Sequence, residues 1–170
     1  DGKEGLEIAK KEVPDLVICD VMMPVMDGLE FTEQLKTDTA TSHIPVIMLT
    51  AKNLEEHRAE GYEHGADSYI TKPFHSKVLL ARIDNLLKQR KLLKHLFQGS
   101  QEAEQEIAAS HLEDRDKKFL KQLHAIIQQN LSDSEFSVED IGKQIGLSRV
   151  QLYRKVKAMT GSSVVDLLRK

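Results

Sequence analysis

Residues 16–28 read LVICDVMMPVMDG and constrain the fold of the first half of the chain most strongly. The apolar run from Leu16 to Cys19 has no polar interruption, which is typical of a strand buried on both faces in a parallel sheet. The run ends on Asp20 and passes into a loop marked by the turn formers Pro24 and Asp27–Gly28. A carboxylate at the carboxyl end of a parallel strand lies where open α/β sheets bind their ligands. From this stretch alone, Asp20 is either a functional acid or an ordinary turn cap.

Two later apolar runs favour a functional Asp20. Residues 44–49 (IPVIML) are followed by Thr50, and residues 66–70 (ADSYI) are followed, two positions on, by Lys72. Three predicted strands therefore bring an acid, a hydroxyl and an amine to the same edge of one sheet. This set suits an aspartyl phosphate, in which Asp20 attacks phosphorus while Lys72 and Thr50 hold phosphoryl oxygens.

The stretches LVICDVMMPVMDG, VIMLTA and YITKPF resemble, in this order, the motifs of receiver domains of two-component response regulators. The resemblance implies a flavodoxin-like, doubly wound parallel sheet with Asp20 as the phosphoacceptor. It implies that the switch and phosphate-binding positions are Thr50, Ala51, Tyr69 and Lys72. It also implies a Mg²⁺ cofactor, held partly by Asp20 and the backbone carbonyl of Met22.

The chain opens with residues 1–11, DGKEGLEIAKK, which predict a turn and then an amphipathic helix. In receivers such a segment follows the second strand. The resemblance therefore implies that the first strand, the first helix and most of the second strand lie outside this sequence, so that the sheet is incomplete. The family's acidic pair, which supplies the other Mg²⁺ ligands, is among the parts expected to be missing.

The remaining patterns predict a receiver domain over residues 1–97, a linker over 98–114 and an all-α domain over 115–170. Helices are expected after Gly28, over residues 53–64, and from Ser76 towards Phe97, the last one long enough to form a stalk. Residues 98–106 (QGSQEAEQE) are polar and break the helical pattern. The family also implies a cis peptide bond between Lys72 and Pro73.

The last part of the chain has the pattern of a helix-turn-helix. An amphipathic helix is predicted over residues 116–130. Ser137 then begins a short helix with a capping-box pattern, and Gly146 stops it. Ser148 caps a further helix over residues 149–157, which completes the pattern of short helix, glycine turn and basic helix.

The helix over residues 149–157 carries side chains suited to duplex DNA. Leu152 and Val156 are expected to face inward, which leaves its other faces to polar residues. Arg bonds guanine bidentately, Gln reads adenine, and Lys and Tyr hold phosphates. The predicted DNA-contacting residues are Arg149, Val150, Gln151, Tyr153, Arg154 and Lys157.

Residues 146–163, GLSRVQLYRKVKAMTGSS, resemble the first helix-turn-helix of AraC/XylS-type transcription regulators. The resemblance covers roughly residues 118–170 and implies that Val150, Tyr153 and Arg154 point towards base edges. That family carries two such motifs joined by a long helix. The second motif is expected to lie outside this sequence.

Charge and composition limit the compartment and the partners. The net charge is −3, yet residues 141–170 carry seven basic side chains against one acid, Asp166, which predicts a basic patch for an anionic partner. The lone cysteine, Cys19, fits a reducing cytosol. The seven histidines show no metal-site spacing. No apolar run approaches the roughly 20 residues of a membrane helix and no signal peptide is visible, so we expect a cytoplasmic chain without membrane contact.

These patterns predict a phosphorylation-controlled, DNA-binding transcription regulator of a two-component system. It would be either a separate response regulator or the C-terminal part of a hybrid sensor kinase. Its expected partners are a histidine kinase or phosphotransfer domain, double-stranded DNA and a second copy of the chain in a homodimer. It would catalyse only its own phosphoryl transfer and hydrolysis, although a parent hybrid histidine kinase would be an enzyme.

Two alternatives stay open. One is a protein-interaction module whose receiver does not signal. The other is a phosphotransferase or phosphatase working through an aspartyl phosphate. The second alternative is weakened because Met22 stands where such enzymes carry a second acid.

Overall fold

The computed structural model describes residues 1–51, 65–99, 114–130, 133 and 136–168, with the side chains of residues 92–99 and 168 left aside. The chain divides into two units, Asp1–Gln89 and Arg90–Lys170. The helix predicted over residues 53–64 and almost all of the linker predicted over 98–114 lie outside the described residues.

The described part of the first unit consists of helices and parallel strands. They are α1 (Gly2–Glu12), β1 (Val17–Asp20), α2 (Gly28–Thr37), β2 (Val46–Ala51), β3 (Ser68–Lys72) and α3 (Ser76–Gly99). The strands form one sheet in the order β1-β2-β3, and both strand pairs are parallel. The predicted parallel sheet of an α/β fold is therefore confirmed.

Each strand lies one or two residues further along the chain than its apolar run predicts. β2 begins at Val46 rather than Ile44 because Pro45 has no N–H to give to the ladder. β1 and β3 extend to Asp20 and Lys72. The acid and the amine of the candidate site are thus held by strand backbone rather than by the loops that follow.

The core of the first unit lies where α1 and α2 cover the sheet. Asp1 and Asp27 cap these helices, each accepting a backbone N–H three residues on, from Glu4 at 3.0 Å and from Glu30 at 2.8 Å. Their apolar faces pack against the strands. The buried cluster comprises Leu6, Ala9, Cys19, Val21, Phe31, Leu35, Ile44, Val46, Met48 and Ala66.

A buried lysine joins α2 to the segment before β3. Lys36 Nζ lies 2.9 Å from Asp67 Oδ2. The same oxygen accepts the Val46 N–H at 2.7 Å. Asp67, predicted as part of a strand, instead precedes β3 and holds the first N–H of β2.

α3 follows the cis peptide bond between Lys72 and Pro73, which confirms the expected isomer. The helix has 24 residues, from Ser76 to Gly99, and it continues past the boundary between the two units. The predicted long helix is confirmed. Neither α3 nor any other helix in the described ranges is both long and apolar enough to cross a membrane.

Besides the end of α3, four helices form the described part of the second unit. They are α4 (Asp114–Gln129), α5 (Val138–Ile145), α6 (Arg149–Thr160) and α7 (Val164–Leu168). Capping boxes begin α5 at Ser137 and α6 at Ser148, and Gly146 ends α5 with a φ of 81°. These start and stop signals were all predicted. α5 and α6 are therefore separated by a turn of residues 146–148.

One apolar face of each helix builds the core of the second unit. α4 buries its stripe of Phe119, Leu120, Leu123, Ile126 and Ile127. Leu152 and Val156 of α6 are completely buried, as the sequence predicts, and Ile141 of α5 is buried with them.

Candidate functional site

The carboxyl ends of β1 and β3 bring Asp20 and Lys72 together across the end of β2. Asp20 is in register with Leu49, and Lys72 is in register with Ala51. Since side chains alternate along a strand, the register places Asp20, Ala51 and Lys72 on one face of the sheet. The Lys72 ammonium donates to Asp20 Oδ2 in a close ion pair. Two residues that lie 52 positions apart thus form one site.

Asp20 is held as an ionised, solvent-accessible carboxylate. The hydrogen bond from Lys72 is the largest of the effects that lower the pKa of Asp20, and the N–H groups of Met22 and Val21 add to it against the opposing effect of burial. Met22 N–H donates to the other carboxylate oxygen, Oδ1, at 3.1 Å. The side chains of Asp20 and Lys72 remain 33% and 42% exposed. An ionised, accessible oxygen is what a carboxylate nucleophile needs.

Thr50 and Tyr69 belong to the other face of the strand ends. Thr50 is in register with Thr71, two residues beyond Tyr69, so the alternation places Thr50 and Tyr69 together. Thr50 is 2% exposed, and its hydroxyl donates to the carbonyl of Ala51 at 3.2 Å. Tyr69 is half-buried and packs against the core cluster. The switch roles predicted for these two residues stay predictions.

Gly28 lets the start of α2 approach the strand that carries Asp20. A Cβ atom on Gly28 would lie 2.2 Å from the carbonyl oxygen of Asp20. The Gly28 N–H donates to the Val21 carbonyl at 2.9 Å, which closes the loop between β1 and α2. The sequence marks Gly28 as a turn residue and does not indicate this close approach.

Cys19 directly precedes Asp20, and its thiol is unreactive. The pKa of the Cys19 thiol is raised to about 11, mainly by burial, with the hydrogen bond to Thr32 lowering it and the Asp20 charge raising it. The thiol is therefore protonated at neutral pH. Because the thiolate is the reactive form, Cys19 does not compete with Asp20 as a nucleophile.

The described residues meet the needs of Mg²⁺ only in part. Asp20 and the Met22 carbonyl are the groups that the resemblance assigns to the ion, and both Asp20 oxygens already accept hydrogen bonds. Within the described ranges no group of three or more His, Cys, Asp or Glu side chains could hold a metal ion. Octahedral Mg²⁺ is usually held by one or two carboxylates together with water and phosphate oxygens. Asp20 and Met22 alone do not complete a magnesium site.

In the second unit, α6 exposes a group of predicted DNA-contacting residues. Val150 and Tyr153 are 57% and 43% exposed. Lys157 Nζ lies 3.2 Å from the Tyr153 hydroxyl and 5.5 Å from the centre of the Tyr153 ring, so the two side chains contact each other. Arg154 is half-buried.

Two other predicted DNA-contacting residues already have partners inside the second unit. Arg149 donates to Glu139 of α5 at 2.8 Å. Gln151 Oε1 accepts the Ser148 N–H at 3.0 Å and completes the cap of α6. A Gln side chain that reads adenine must offer both its oxygen and its nitrogen. Gln151 could do so only by giving up the cap.

The burial of Lys155 corrects the prediction of the basic patch. The sequence counts it among the seven basic residues of this region, but its side chain is 0% exposed and its Nζ lies 2.9 Å from Asp116 Oδ1 of α4. Lys155 therefore offers no charge to an outside partner. Its position one turn from the inward Leu152 and next to Val156 is the signal in the sequence that could have indicated burial.

Comparison with known proteins agrees with the geometry of the first unit. Residues 1–84 match the family profile described as response regulator receiver domain. Histidine kinase P4 of Formosa agariphila is 38% identical over 161 residues, which are 94% of this chain and 12% of that protein. The phosphate regulon transcriptional regulatory protein PhoB of Escherichia coli is 49% identical over 76 residues, which are 45% of this chain and 33% of PhoB. The chain thus spans a small part of either relative.

A crystal structure from Chloroflexus aurantiacus, described as a response regulator, shows the same fold. It superposes with a TM-score of 0.50 at 35% sequence identity, covering 52% of this chain and 72% of that one. The parallel sheet, the acid and lysine at its carboxyl edge and the matched family profile agree with one another. Residues 1–84 therefore belong to the response regulator receiver domain family, the signalling modules of two-component systems.

Proposed function

We propose that this chain is a phosphorylation-controlled, DNA-binding part of a two-component system, in which Asp20 receives the phosphoryl group. The close pair of Asp20 and Lys72 at the carboxyl edge of the sheet is the observation that carries the proposal. The phosphodonor would be a phosphohistidine on a histidine kinase or phosphotransfer domain. Receiver domains are mostly signalling modules rather than enzymes, so the donor protein supplies the phosphoryl group and the receiver takes it.

The chemistry proposed for Asp20 is an in-line displacement at phosphorus. One ionised carboxylate oxygen attacks, an O–P bond forms, and the N–P bond of the phosphohistidine breaks as the imidazole nitrogen leaves with the electron pair. The lowered pKa of Asp20 keeps the attacking form populated at neutral pH. Lys72 then pairs with a phosphoryl oxygen, since an ammonium forms strong charge-assisted hydrogen bonds with phosphate.

The proposal for the receiver also includes the switch and phosphate-binding positions Thr50, Ala51 and Tyr69 and a magnesium ion. Thr50 would donate to a phosphoryl oxygen, which requires its hydroxyl to leave the Ala51 carbonyl. Asp20 and the Met22 carbonyl are the described groups that would contribute to holding Mg²⁺, which neutralises phosphoryl charge when bound.

DNA binding is proposed for α5 and α6, joined by the turn at residues 146–148. The support is the short turn, the burial of Leu152 and Val156, and the exposed face of Val150, Tyr153 and Lys157. This arrangement resembles a helix-turn-helix, and we propose that its second helix enters the major groove. Arg154 is the residue proposed to read guanine, while Arg149 and Gln151 are proposed to stabilise the start of α6.

Of the two parents that the sequence leaves open, we favour the hybrid sensor kinase. Similarity to Histidine kinase P4 extends over 94% of this chain and therefore includes both units. The competing proposal is a protein-interaction module whose receiver does not signal. It stays open because similarity to Histidine kinase P4 does not by itself require contact with DNA.

Salt-dependent binding to duplex DNA tests the DNA-binding proposal. Binding of a labelled random-sequence duplex would be measured by anisotropy at several salt concentrations. Because phosphate contacts release counterions, we expect weak affinity of about 10⁻⁴ to 10⁻⁶ M that falls linearly on a log–log plot with salt. Absence of binding, or binding without a salt slope, would favour the interaction module.

A further inference from the structure

A buried ion pair joins α4 to α6 inside the second unit. Lys155 Nζ lies 2.9 Å from Asp116 Oδ1, and the two side chains are 0% and 4% exposed. The same Nζ lies 4.7 Å from the ring centre of Phe119, one helical turn beyond Asp116 on α4. Two side chains of α4, one helical turn apart, therefore contact the Lys155 ammonium group of α6.

Stability alone is a weak explanation for a buried ion pair. A buried ion pair is often no more stabilising than apolar side chains of similar size, because both charges lose their hydration. Leu152 and Val156 already anchor α6 through complete burial. Apolar contacts are not directional, whereas an ion pair with one carboxylate position has a single best geometry. The pair thus adds orientation to an interface that is already apolar.

The orientation of α6 decides which side chains face outward. Each residue is displaced by about 100° around a helix axis, so a rotation of that size would replace one outward residue by its neighbour. Lys155 lies directly between Arg154 and Val156 in sequence. Fixing Lys155 towards α4 therefore fixes the direction of Arg154 and of Tyr153 and Lys157 around it.

We propose that Asp116 and Lys155 are positioning residues that set the rotation of α6 and so present Val150, Tyr153 and Arg154 to DNA. The inference rests on the proposed DNA-binding role of α6. Neither residue touches the nucleic acid: Lys155 has no exposed surface from which to contact a phosphate or a base. Their substitution changes the selection of sequence more than the number of phosphate contacts, because the flexible Lys157 side chain still reaches a phosphate after a small rotation, whereas base contacts require a fixed geometry.

The test replaces the pair by apolar residues of similar size. The double variant Asp116→Leu/Lys155→Met removes both buried charges, so that neither is left without its partner. A matched control, Asp84→Leu/Lys88→Met, removes an exposed ion pair of the same type from α3. Each protein is incubated with a library of duplexes that have a randomised centre, and the bound fraction is sequenced. Salt dependence is measured on the unselected library.

The double variant should fold and keep the salt slope of the parent, but it should discriminate between enriched and unselected duplexes about tenfold less well, the scale of one lost base contact. The control should select as the parent does. Equal selection by the double variant and the parent would overturn the inference. Should the double variant fail to fold, Asp116→Glu keeps the charge but moves it by one methylene, and the same two outcomes apply.

A measurement without DNA separates this inference from the proposed function. The orientation of α6 relative to α4, measured by residual dipolar couplings of the helix amides, should change in the Asp116→Leu/Lys155→Met variant and stay unchanged in the α3 control. An unchanged orientation of α6 would overturn the positioning role whatever the DNA result. A changed orientation in a protein that shows no salt-dependent DNA binding would retain the positioning role and reject the proposed function.

Discussion

Lys72 changes the acid–base behaviour of Asp20 because its ammonium group stabilises the ionised carboxylate. The pKa of Asp20 lies below its ordinary value. A lowered pKa in the folded state means that the contact stabilises the fold above the ordinary carboxyl pKa, about 3.9, and that this stabilisation is lost as the pH falls through the lowered value. The pH dependence of Asp20 thus reports directly on its pair with Lys72.

We predict that Lys72→Met raises the pKa of Asp20 back towards about 3.9, because the main cause of the lowering is removed. A carbon-13 titration of the Asp20 carboxyl group measures this. Lys77→Met is a matched control, since Lys77 is an exposed lysine at the start of α3. Identical titration curves for Lys72→Met and the parent would contradict the assignment of Lys72 as the cause.

Residues whose role depends on local sequence were easier to predict than residues with distant partners. Asp20 and Lys72 each follow an apolar run, so the strand pattern placed them at one edge. Lys155 was misjudged because its partner, Asp116, lies 39 positions away and no local pattern links them. Asp67 likewise acts on Val46 across 21 positions. Such partners emerge only when the elements are packed.

Among the elements, the junction of β1 and α2 is the tightest near the site. α2 starts at Gly28, directly against the backbone of Asp20, so a side chain there would push α2 away from the strand that carries the acid. The position is demanding because the nearby atoms are backbone atoms, which have no rotamer to change.

Gly28→Ala is therefore expected to destabilise the fold by about 1–3 kcal/mol, the usual effect of inserting a methyl group into a packed site. The measurement is the free energy of unfolding in denaturant. Gly5→Ala is the control: Gly5 lies within α1, and its added Cβ would be 3.4 Å from the Phe31 ring. That control should gain about 0.5–1 kcal/mol from the better helix propensity of Ala. A neutral Gly28→Ala would contradict the close approach.

α6 carries two classes of side chain whose loss should have different effects on DNA binding. If Arg154 reads guanine, Arg154→Ala should lose about 1–3 kcal/mol at one base position. Lys157→Ala should weaken binding to all sequences alike and flatten the salt slope. Titrations against matched and mismatched duplexes at two salt concentrations distinguish them. An equal loss on every sequence for Arg154→Ala would make Arg154 a phosphate contact.

Element types and the limits of capped helices followed from pattern, while the ends of the strands did not. Apolar runs predicted all three described strands, and capping signals at Ser137, Gly146 and Ser148 predicted the limits of α5 and the start of α6. The ends of β2 and β3 were missed because polar residues such as Thr50 and Lys72 continue the ladder through backbone hydrogen bonds. Ladder pairing is indifferent to side-chain polarity, so hydrophobic pattern alone cannot locate a strand end.

For the whole molecule, the described edge of β1 is the feature from which we predict assembly. In the part of the chain that the structure describes, β1 pairs with β2 on one side only. A cavity of about 360 Å³, lined mostly by apolar residues of α1 and β1, lies against this strand. Ile18 of β1 is 40% exposed. An unpaired apolar edge is a template for another strand.

We predict that the 170-residue chain self-associates through β1. Sedimentation velocity over a range of concentrations should show a dimer or larger species, and Ile18→Lys should shift it to monomer because edge charges block strand pairing. Val78→Lys, which changes an exposed apolar residue of α3, should leave the association unchanged. A monomer at all concentrations would contradict the prediction.

The identity of the phosphorylated residue decides whether Asp20 is the phosphoacceptor. The chain would be incubated with a small phosphodonor and Mg²⁺, the acyl phosphate trapped by hydride reduction, and the modified peptide identified by mass. Because the described residues supply one carboxylate for the ion, we expect slow and incomplete modification, located at Asp20 and absent from Asp20→Asn. Modification at another residue, or unchanged modification of Asp20→Asn, would contradict the account.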